Sequence, residues 1–154
     1  MAAGPLTIGI WPGLQRTALW QAARPMLQAA ADRGDGRIDL DGRHIWAITD
    51  GGCLVACATT RTTLDGHAEV ELVGGGRVRE WLADLSAIIC RWASDEGMRS
   101  VRAYGRPGWR RILDWDVLGV EDGSVVYEKR LGYGARTDHL PRARSDFLQP
   151  AVEV

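Results

Sequence analysis

The chain has 154 residues, of which 45% are hydrophobic and 25% are charged, and its 19 basic residues nearly balance its 20 acidic ones. This length and composition predict one soluble domain that buries an ordinary core without a structural metal or disulfides. The formal net charge of -1 argues against a general nucleic-acid coat and against a membrane-surface protein, because both classes carry a basic excess.

The N-terminus lacks a basic segment followed by an apolar run, and nowhere do about 18 apolar residues follow one another. We therefore expect an intracellular protein that is not secreted through a signal peptide and does not span a membrane. The cysteines number three, and an odd number cannot pair completely. We predict that Cys53, Cys57 and Cys90 are buried small hydrophobic residues and not metal ligands.

The first half of the chain predicts a helical region followed by strands. Residues 14–33 carry apolar side chains at helical spacing, and Gly34 ends the pattern. Pro25 either kinks this helix or begins a second one. Segments rich in Ile, Val, Trp and Thr then predict three antiparallel strands, at residues 43–50, 53–62 and 67–73.

The second half opens with three consecutive glycines, residues 74–76, directly before the longest amphipathic helix pattern. A strand follows the helix, so the order is strand, glycine-rich turn, helix, strand. The predicted elements are a helix at 77–96, a strand at 100–104, a short helix at 107–114 and a hairpin of residues 117–121 and 124–131.

Residues 132–154 contain arginines and prolines with little periodicity. They predict a C-terminal tail that is disordered alone or ordered by a partner. The sequence thus divides into a domain at 1–131 and a tail at 132–154. The predicted fold class is α/β (α+β), with a mixed, mostly antiparallel sheet flanked by helices.

This order of elements resembles the GNAT (Gcn5-related N-acetyltransferase) fold over roughly residues 5–131. Three segments carry a closer resemblance: residues 31–35, the strand and turn at 69–75, and above all 104–113, with the string Tyr-Gly-Arg-Pro-Gly-Trp-Arg-Arg-Ile-Leu. These segments look like a group of short GNAT-like proteins of tailed bacteriophages and prophages.

The resemblance implies that the turn after the third predicted strand binds the pyrophosphate of acetyl-CoA, through backbone N–H groups at a helix N-terminus. The matching positions are Val73, Gly74, Gly75, Gly76, Arg77 and Val78. The family pattern places Arg or Gln three residues before the first glycine, where this chain has Glu71. The alternative is a flexible glycine-rich connection that only the fold requires.

The resemblance also places the catalytic base on the preceding strand, where Glu69 and Glu71 share one face. Desolvation there would raise the pKa of a carboxyl group, whereas the alternative is a solvated strand face. Trp115 occupies the place of the family's proton-donating tyrosine, and an indole cannot protonate sulfur. Tyr104 is expected to be a core or rim aromatic.

The leading hypothesis is therefore a phage or prophage virion-associated protein, structural in role, with weak or no acetyltransferase activity. Its expected partners are other phage structural proteins, with homo-oligomers as a further option and no membrane or nucleic acid, and its location is the virion or the host cytoplasm. The alternative is an acetyl-CoA-dependent N-acetyltransferase acting on an amine of a host or phage protein. A third hypothesis is a small nucleic-acid-binding module that uses Arg106, Arg110, Arg111 and the tail.

Overall fold

A computed structural model describes residues 6–132 of the chain. The predicted tail at 132–154 lies, apart from its first residue, outside the described residues. Within the described part no helix is long and apolar enough to cross a membrane. The elements in chain order are β1 (Thr7–Ile10), a 3-10 helix (Leu14–Arg16), α1 (Trp20–Ala31), β2 (His44–Asp50), β3 (Cys53–Thr62), β4 (His67–Gly75), α2 (Val78–Asp95), β5 (Ser100–Gly105), a second 3-10 helix (Pro107–Arg111), β6 (Asp116–Glu121) and β7 (Ser124–Arg130).

The strands form one seven-stranded sheet in the order β1-β2-β3-β4-β5-β7-β6. The pair β4 and β5 is parallel, whereas the other neighbours are antiparallel. The connection between the parallel strands is α2, because a parallel pair needs a long crossover. The predicted class, a mixed and mostly antiparallel sheet flanked by helices, is confirmed.

Each face of the sheet carries one helix. The α2 face holds the larger core, in which Trp46 is fully buried and contacts Trp92 edge-on at 5.7 Å. The α1 face holds a smaller core around Leu27 and Cys57. Since α1 lies over β3 and β4, the same face towards β5 and β7 has no α-helix above it among residues 6–132.

Charged side chains form a row across this second face, which we call the charge row. Arg61 of β3 is opposite Glu69 of β4, Glu69 is opposite Arg102 of β5, and Arg102 is opposite Glu128 of β7. The guanidinium groups contact the carboxylates at 2.7 Å for Arg61 and Glu69 and at 2.9 Å for Arg102 and Glu128. Opposite charges on directly paired positions stabilise a sheet.

The structure differs from the sequence analysis in one unpredicted strand and one strand end, and it decides between the two alternatives at Pro25. The strand β1 was missed, because its four residues are too short to show alternation. No second helix begins at Pro25, which lies inside α1. The third strand does not end at Val73 but continues to Gly75, so Gly74 and Gly75 are strand residues and not a turn.

Candidate functional site

The parallel strands β4 and β5 separate part-way along their length. Their pairing runs from His67 with Ser100 to Val70 with Ala103 and ends there. Beyond this point β4 continues beside β3, and β5 continues beside β7. An irregularity in the pairing of β3 with β4 contributes to this separation, because Thr60 pairs with Val70 while its neighbour Thr59 pairs with Leu72. The sheet therefore opens between Val70 and the end of β5.

Glu69 lies one residue before this opening and is only 8% exposed. Arg61 holds its Oε1: Nε donates a hydrogen bond at 2.8 Å, and Nη2 forms an ion pair with the same oxygen at 2.7 Å. Its Oε2 is 3.2 Å from the hydroxyl of Tyr104 and 3.3 Å from Nε2 of His67. Burial alone would raise the pKa of Glu69, but these partners outweigh burial and lower it below its ordinary value. Both expectations, a solvated face and a raised pKa, are therefore wrong for Glu69.

Glu71 shares this face of β4 with Glu69, as predicted. Arg43 binds it through Nε at 2.8 Å and Nη2 at 3.3 Å, and Nε of Arg61 lies 3.4 Å from its Oε2. Arg61 therefore bridges both carboxylates, which lets two like charges sit close together. The negative charge that the sequence placed near a phosphate site is neutralised by these arginines.

Tyr104, His67 and Arg61 contact Glu69, and the sequence did not identify them as site residues. The Tyr104 hydroxyl donates to Glu69, and burial with the nearby carboxylate raises the pKa of the phenol to about 12. His67, at the start of β4, is 8% exposed. Strand spacing was the signal that could have found two of them. His67 is two residues from Glu69, and Tyr104 lies one residue beyond Ala103, the last residue of β5 that pairs with β4.

Glu69, Glu71 and Tyr104 line a cleft of about 420 Å³, which we call the acidic cleft. Its walls come from the end of α1, from the segment that follows α1 and from the turn between β6 and β7. Glu69 and Glu71 are paired with Arg61 and Arg43. The rest of the walls carry three carboxylates and one guanidinium group, so the cleft favours a cationic ligand. The charged residues are Asp35, Glu69, Glu71, Glu121 and Asp122 against Arg37 and Arg61.

The glycines of the predicted cofactor loop have different surroundings. A Cβ on Gly74 would lie 2.0 Å from the carbonyl oxygen of Met26 in α1, and one on Gly75 would lie 2.4 Å from Cα of Ala56. These two glycines are therefore required for close backbone packing. Gly76 faces open space, because nothing lies within 4 Å of its built Cβ position. Of the three, Gly76 is the one that leaves room for a ligand.

Arg77 is held by carboxylates of the protein. It has a left-handed backbone with φ of 59°, and its guanidinium contacts Asp50 at 2.8 Å and both oxygens of Glu80 at 2.8 Å. These partners raise the pKa of Arg77 and lower that of Glu80. The side chain is thus engaged within the protein, while Val78 begins α2 and packs with the buried Val73 on the core.

The backbone around the opening fits acetyl-CoA, the cofactor that the resemblance implies. Pantetheine amides need an extended peptide edge, and phosphates need amide donors at a helix N-terminus. Beyond Val70, β4 has no paired strand on its β5 side within residues 6–132. The N–H groups at the start of α2 would provide the amide donors, since the N–H of Gly76 already donates to the carbonyl oxygen of Val55 at 3.1 Å.

Trp109 covers the end of β5 on the other side of the opening. A Cβ on Gly105 would lie 2.2 Å from its ring, which is 6% exposed and stacks on Tyr127 at 6.0 Å. Trp115 packs, half-buried, against the same core. The Tyr127 hydroxyl donates to the carbonyl of Arg106 at 2.6 Å, so this segment is fixed by packing and hydrogen bonds.

The cysteines do not contribute to the site. Cys57 is fully buried, as predicted, whereas Cys53 is exposed and Cys90 is half-buried, so the prediction of burial is wrong for Cys53. Burial raises the pKa of Cys57 to about 12 and, despite Lys129, that of Cys90 to about 11. Among residues 6–132 no group of three metal-ligating side chains is found.

Searches of protein-family models and of curated proteins found no match. The fold, however, is similar to that of several solved acetyltransferase structures. A protein from Lactobacillus plantarum assigned as an N-acetyltransferase has a TM-score of 0.62 at 17% identity, covering 84% of this chain and 100% of that one. N-acetylglutamate synthase from Neisseria gonorrhoeae, in complex with coenzyme A and N-acetyl-glutamate, has a TM-score of 0.65 at 13% identity, over 85% of this chain and 36% of the other. A GNAT family acetyltransferase from Elizabethkingia anophelis with acetyl-CoA bound has a TM-score of 0.59 at 8% identity, over 82% of this chain and 98% of the other.

The separating parallel strands, the crossover helix and these similarities agree: this chain has the GNAT acetyltransferase fold.

Proposed function

We propose that the protein is an acetyl-CoA-dependent N-acetyltransferase whose acceptor is a cationic amine bound in the acidic cleft. The observation that carries the proposal is the buried carboxylate of Glu69, located where β4 and β5 separate and facing that cleft. Acetyl-CoA, when bound, supplies the activated acetyl group.

Glu69 binds and orients the acceptor in this proposal. Its lowered pKa keeps it ionised at neutral pH, so Oε2 accepts a hydrogen bond from an ammonium group and then from the amine. Arg61 fixes Oε1 and thereby sets the direction of Oε2. Orientation of this kind lowers the barrier of a bimolecular reaction.

Tyr104 supplies the phenol that Trp115 lacks. Its pKa of about 12 keeps a proton on Oη at neutral pH, beside Glu69 and on the wall of the cleft. The backbone from Glu71 to Gly76 and the N–H groups at the start of α2 would hold the cofactor, while Arg77 stays with Asp50 and Glu80.

The direct test measures free thiol release from acetyl-CoA with putrescine, spermidine or a lysine-containing peptide as the acceptor. We expect turnover with at least one of these amines and a decrease of roughly 100-fold in kcat/KM for Glu69→Gln. The control Asp84→Asn, on the exposed side of α2, should match wild type. Absence of heat on calorimetric titration with acetyl-CoA, together with absence of thiol release, would reject the proposal.

A non-catalytic virion component of a phage or prophage is the second candidate. It is favoured by the engagement of Arg77 with two carboxylates and by Trp115 at the family's tyrosine position. This candidate predicts that the protein is present in purified particles by mass spectrometry and does not bind acetyl-CoA. Binding of the cofactor with turnover, or absence from the particles, would count against it.

A further inference from the structure

Two clefts meet on the part of the sheet that α1 does not cover. The acidic cleft reaches Arg61 and Glu69 of the charge row. A second cleft, of about 860 Å³, reaches Arg102 and Glu128 of the same row. Since Glu69 of β4 is directly opposite Arg102 of β5, only one strand spacing of about 4.8 Å separates the two clefts here. Among residues 6–132 no α-helix lies above β5 and β7 on this face, so the surface between the clefts is open.

The second cleft has the opposite charge. We call it the arginine cleft, because Arg99, Arg102 and Arg130 line it. The carboxylates on its wall are those of Asp65 and Glu128. Arg102 and Arg130 share one of them, with Nε of Arg102 at 2.9 Å from Oε2 of Glu128 and Nε of Arg130 at 3.8 Å from Oε1. The guanidinium of Arg99 donates at 2.6 Å to the backbone carbonyl of Asp65, which carries no charge. The arginine cleft therefore favours an anionic group.

Arg130 is the residue of this cleft that is best placed to bind such a group. Its side chain is 84% exposed, whereas that of Arg102 is 37% exposed. Its contact with Glu128 is long, at 3.8 Å, and an ion pair with an exposed partner contributes little. Arg130 can therefore turn to bind the carboxylate of a ligand.

The spacing of the two clefts matches an extended peptide. Tyr104, on the wall of the acidic cleft, pairs with Val126 of β7, and Arg130 follows four residues later on the same strand. Four residues of a strand span about 13 Å. An extended peptide places the side chains of residues i and i+4 on one side, at that same distance.

We propose that the acceptor is an extended peptide whose lysine enters the acidic cleft and whose carboxylate side chain, four residues away, binds Arg130 in the arginine cleft. The inference rests on the proposed function, in which Glu69 binds the ammonium group. The opposite charges of the two clefts orient such a peptide on the sheet. A nucleic acid fits less well, because its phosphates would meet Glu128 and the carboxylates of the acidic cleft.

The test compares three peptides that are blocked at both ends and contain one lysine each. The residues four positions before and four positions after the lysine are glutamate, glutamine or arginine, and every other residue is glycine or serine. We expect KM for the glutamate peptide to be about fivefold lower than that for the glutamine peptide, with equal kcat. Arg130→Gln should remove this difference, and Arg130→Glu should favour the arginine peptide.

Two controls separate the site from general effects of charge. Putrescine has no carboxylate, so at about 0.15 M salt its KM should be the same in wild type and Arg130→Gln. Arg24→Glu changes an exposed arginine of α1 that lines neither cleft. This variant should keep the preference for the glutamate peptide.

A second measurement does not depend on turnover. Fluorescence anisotropy gives the Kd of each labelled peptide, and we expect a lower Kd for the glutamate peptide than for the glutamine peptide, with no difference in Arg130→Gln. Equal Kd values in wild type would overturn the peptide site, and turnover of putrescine would then leave the proposed function intact. If no amine is acetylated but the preference in Kd depends on Arg130, acetyl transfer fails while the peptide site stands. An oligonucleotide that binds more tightly than the glutamate peptide and displaces it would assign the arginine cleft to nucleic acid and overturn the inference.

Discussion

At the scale of single residues, Glu69 shows how partners outweigh burial. A carboxylate with 8% exposure is costly unless it is paired, and Arg61, His67 and Tyr104 supply three partners from two neighbouring strands and its own. The lowered pKa of Glu69 affects the stability of the fold as well as the chemistry of the site. A group whose pKa is lower in the folded state stabilises the fold above its unfolded pKa and loses this contribution as the pH falls.

Glu69→Gln is therefore expected to destabilise the protein in a pH-dependent way. At about pH 7 we expect a loss of about 1–2 kcal/mol, a modest value because the Arg61 side chain is 41% exposed and regains water. The difference from wild type should begin to shrink as the pH falls through about 4.3, the pKa of an unfolded glutamate, and is lost only below the lowered pKa of folded Glu69. Urea unfolding across this pH range checks this, and a loss that is independent of pH would contradict it.

At the scale of elements, the connection from β4 to α2 combines close packing with an exposed turn. Gly74 lets the backbone of α1 touch β4, while a Cβ on Gly76, two residues later, would meet nothing within 4 Å. The charged side chain of Arg77 then ties the start of α2 to Asp50 at the end of β2. Adjacent glycines with the same sequence signal thus have different structural roles.

Gly74→Ala should destabilise the protein by about 1–3 kcal/mol or more, because the added methyl group meets the Met26 carbonyl, which is backbone and cannot rotate away. Gly76→Ala is the matched control and should change the free energy of unfolding by less than about 0.5 kcal/mol. Chemical denaturation measures both. Equal losses would show that α1 does not lie against β4 at Gly74.

Arg77 permits a comparison between strain and ion pairing. Arg77→Ala and Arg77→Gly both remove the contacts to Asp50 and Glu80, but only glycine adopts the φ of 59° without cost. We expect Arg77→Gly to be more stable than Arg77→Ala by about 1 kcal/mol. Thermal unfolding of the two variants measures this difference. A more stable Arg77→Ala would mean that the turn relaxes when arginine is removed.

The helices and strands could be predicted from the periodicity of apolar residues in the sequence, whereas the contacts of the site could not. Alternation and helical spacing act within one segment, so β3 and α2 were predicted almost to the residue. The contacts of Glu69 depend on which residues of β3 and β5 stand opposite it, and no local pattern contains that information. The exposure of Cys53 was missed for a similar reason, because it lies at the end of its strand, beside the Gly51-Gly52 turn.

At the scale of the whole molecule, the sheet is covered unevenly. Helices protect β2 to β5, while β6 is the outer strand beyond β7 and exposes apolar side chains. Val117, Leu118 and Val120 are 40%, 52% and 73% exposed. An irregular pairing between Val117 and Gly119 bends this edge, and such bends discourage pairing with other chains.

Native-state hydrogen exchange should follow this distribution. We expect the amides of β6 to exchange fastest among the strands, since few buried contacts hold them. The amides of β3 and of the first half of β4 should exchange slowest. Peptide-resolved mass spectrometry measures the order, and equal protection of β6 and β3 would contradict it.

The charge row also has a consequence for how the chain selects its alignment. Turns fix the register of hairpins, but a parallel pair joined by the long helix α2 has no such guide. Sliding β5 by one residue would turn Arg102 into the apolar core, and sliding it by two would break the sequence of alternating charges from Arg61 to Glu128. The charge row therefore favours one register of β4 and β5. In that register the hydroxyl of Tyr104 reaches Glu69.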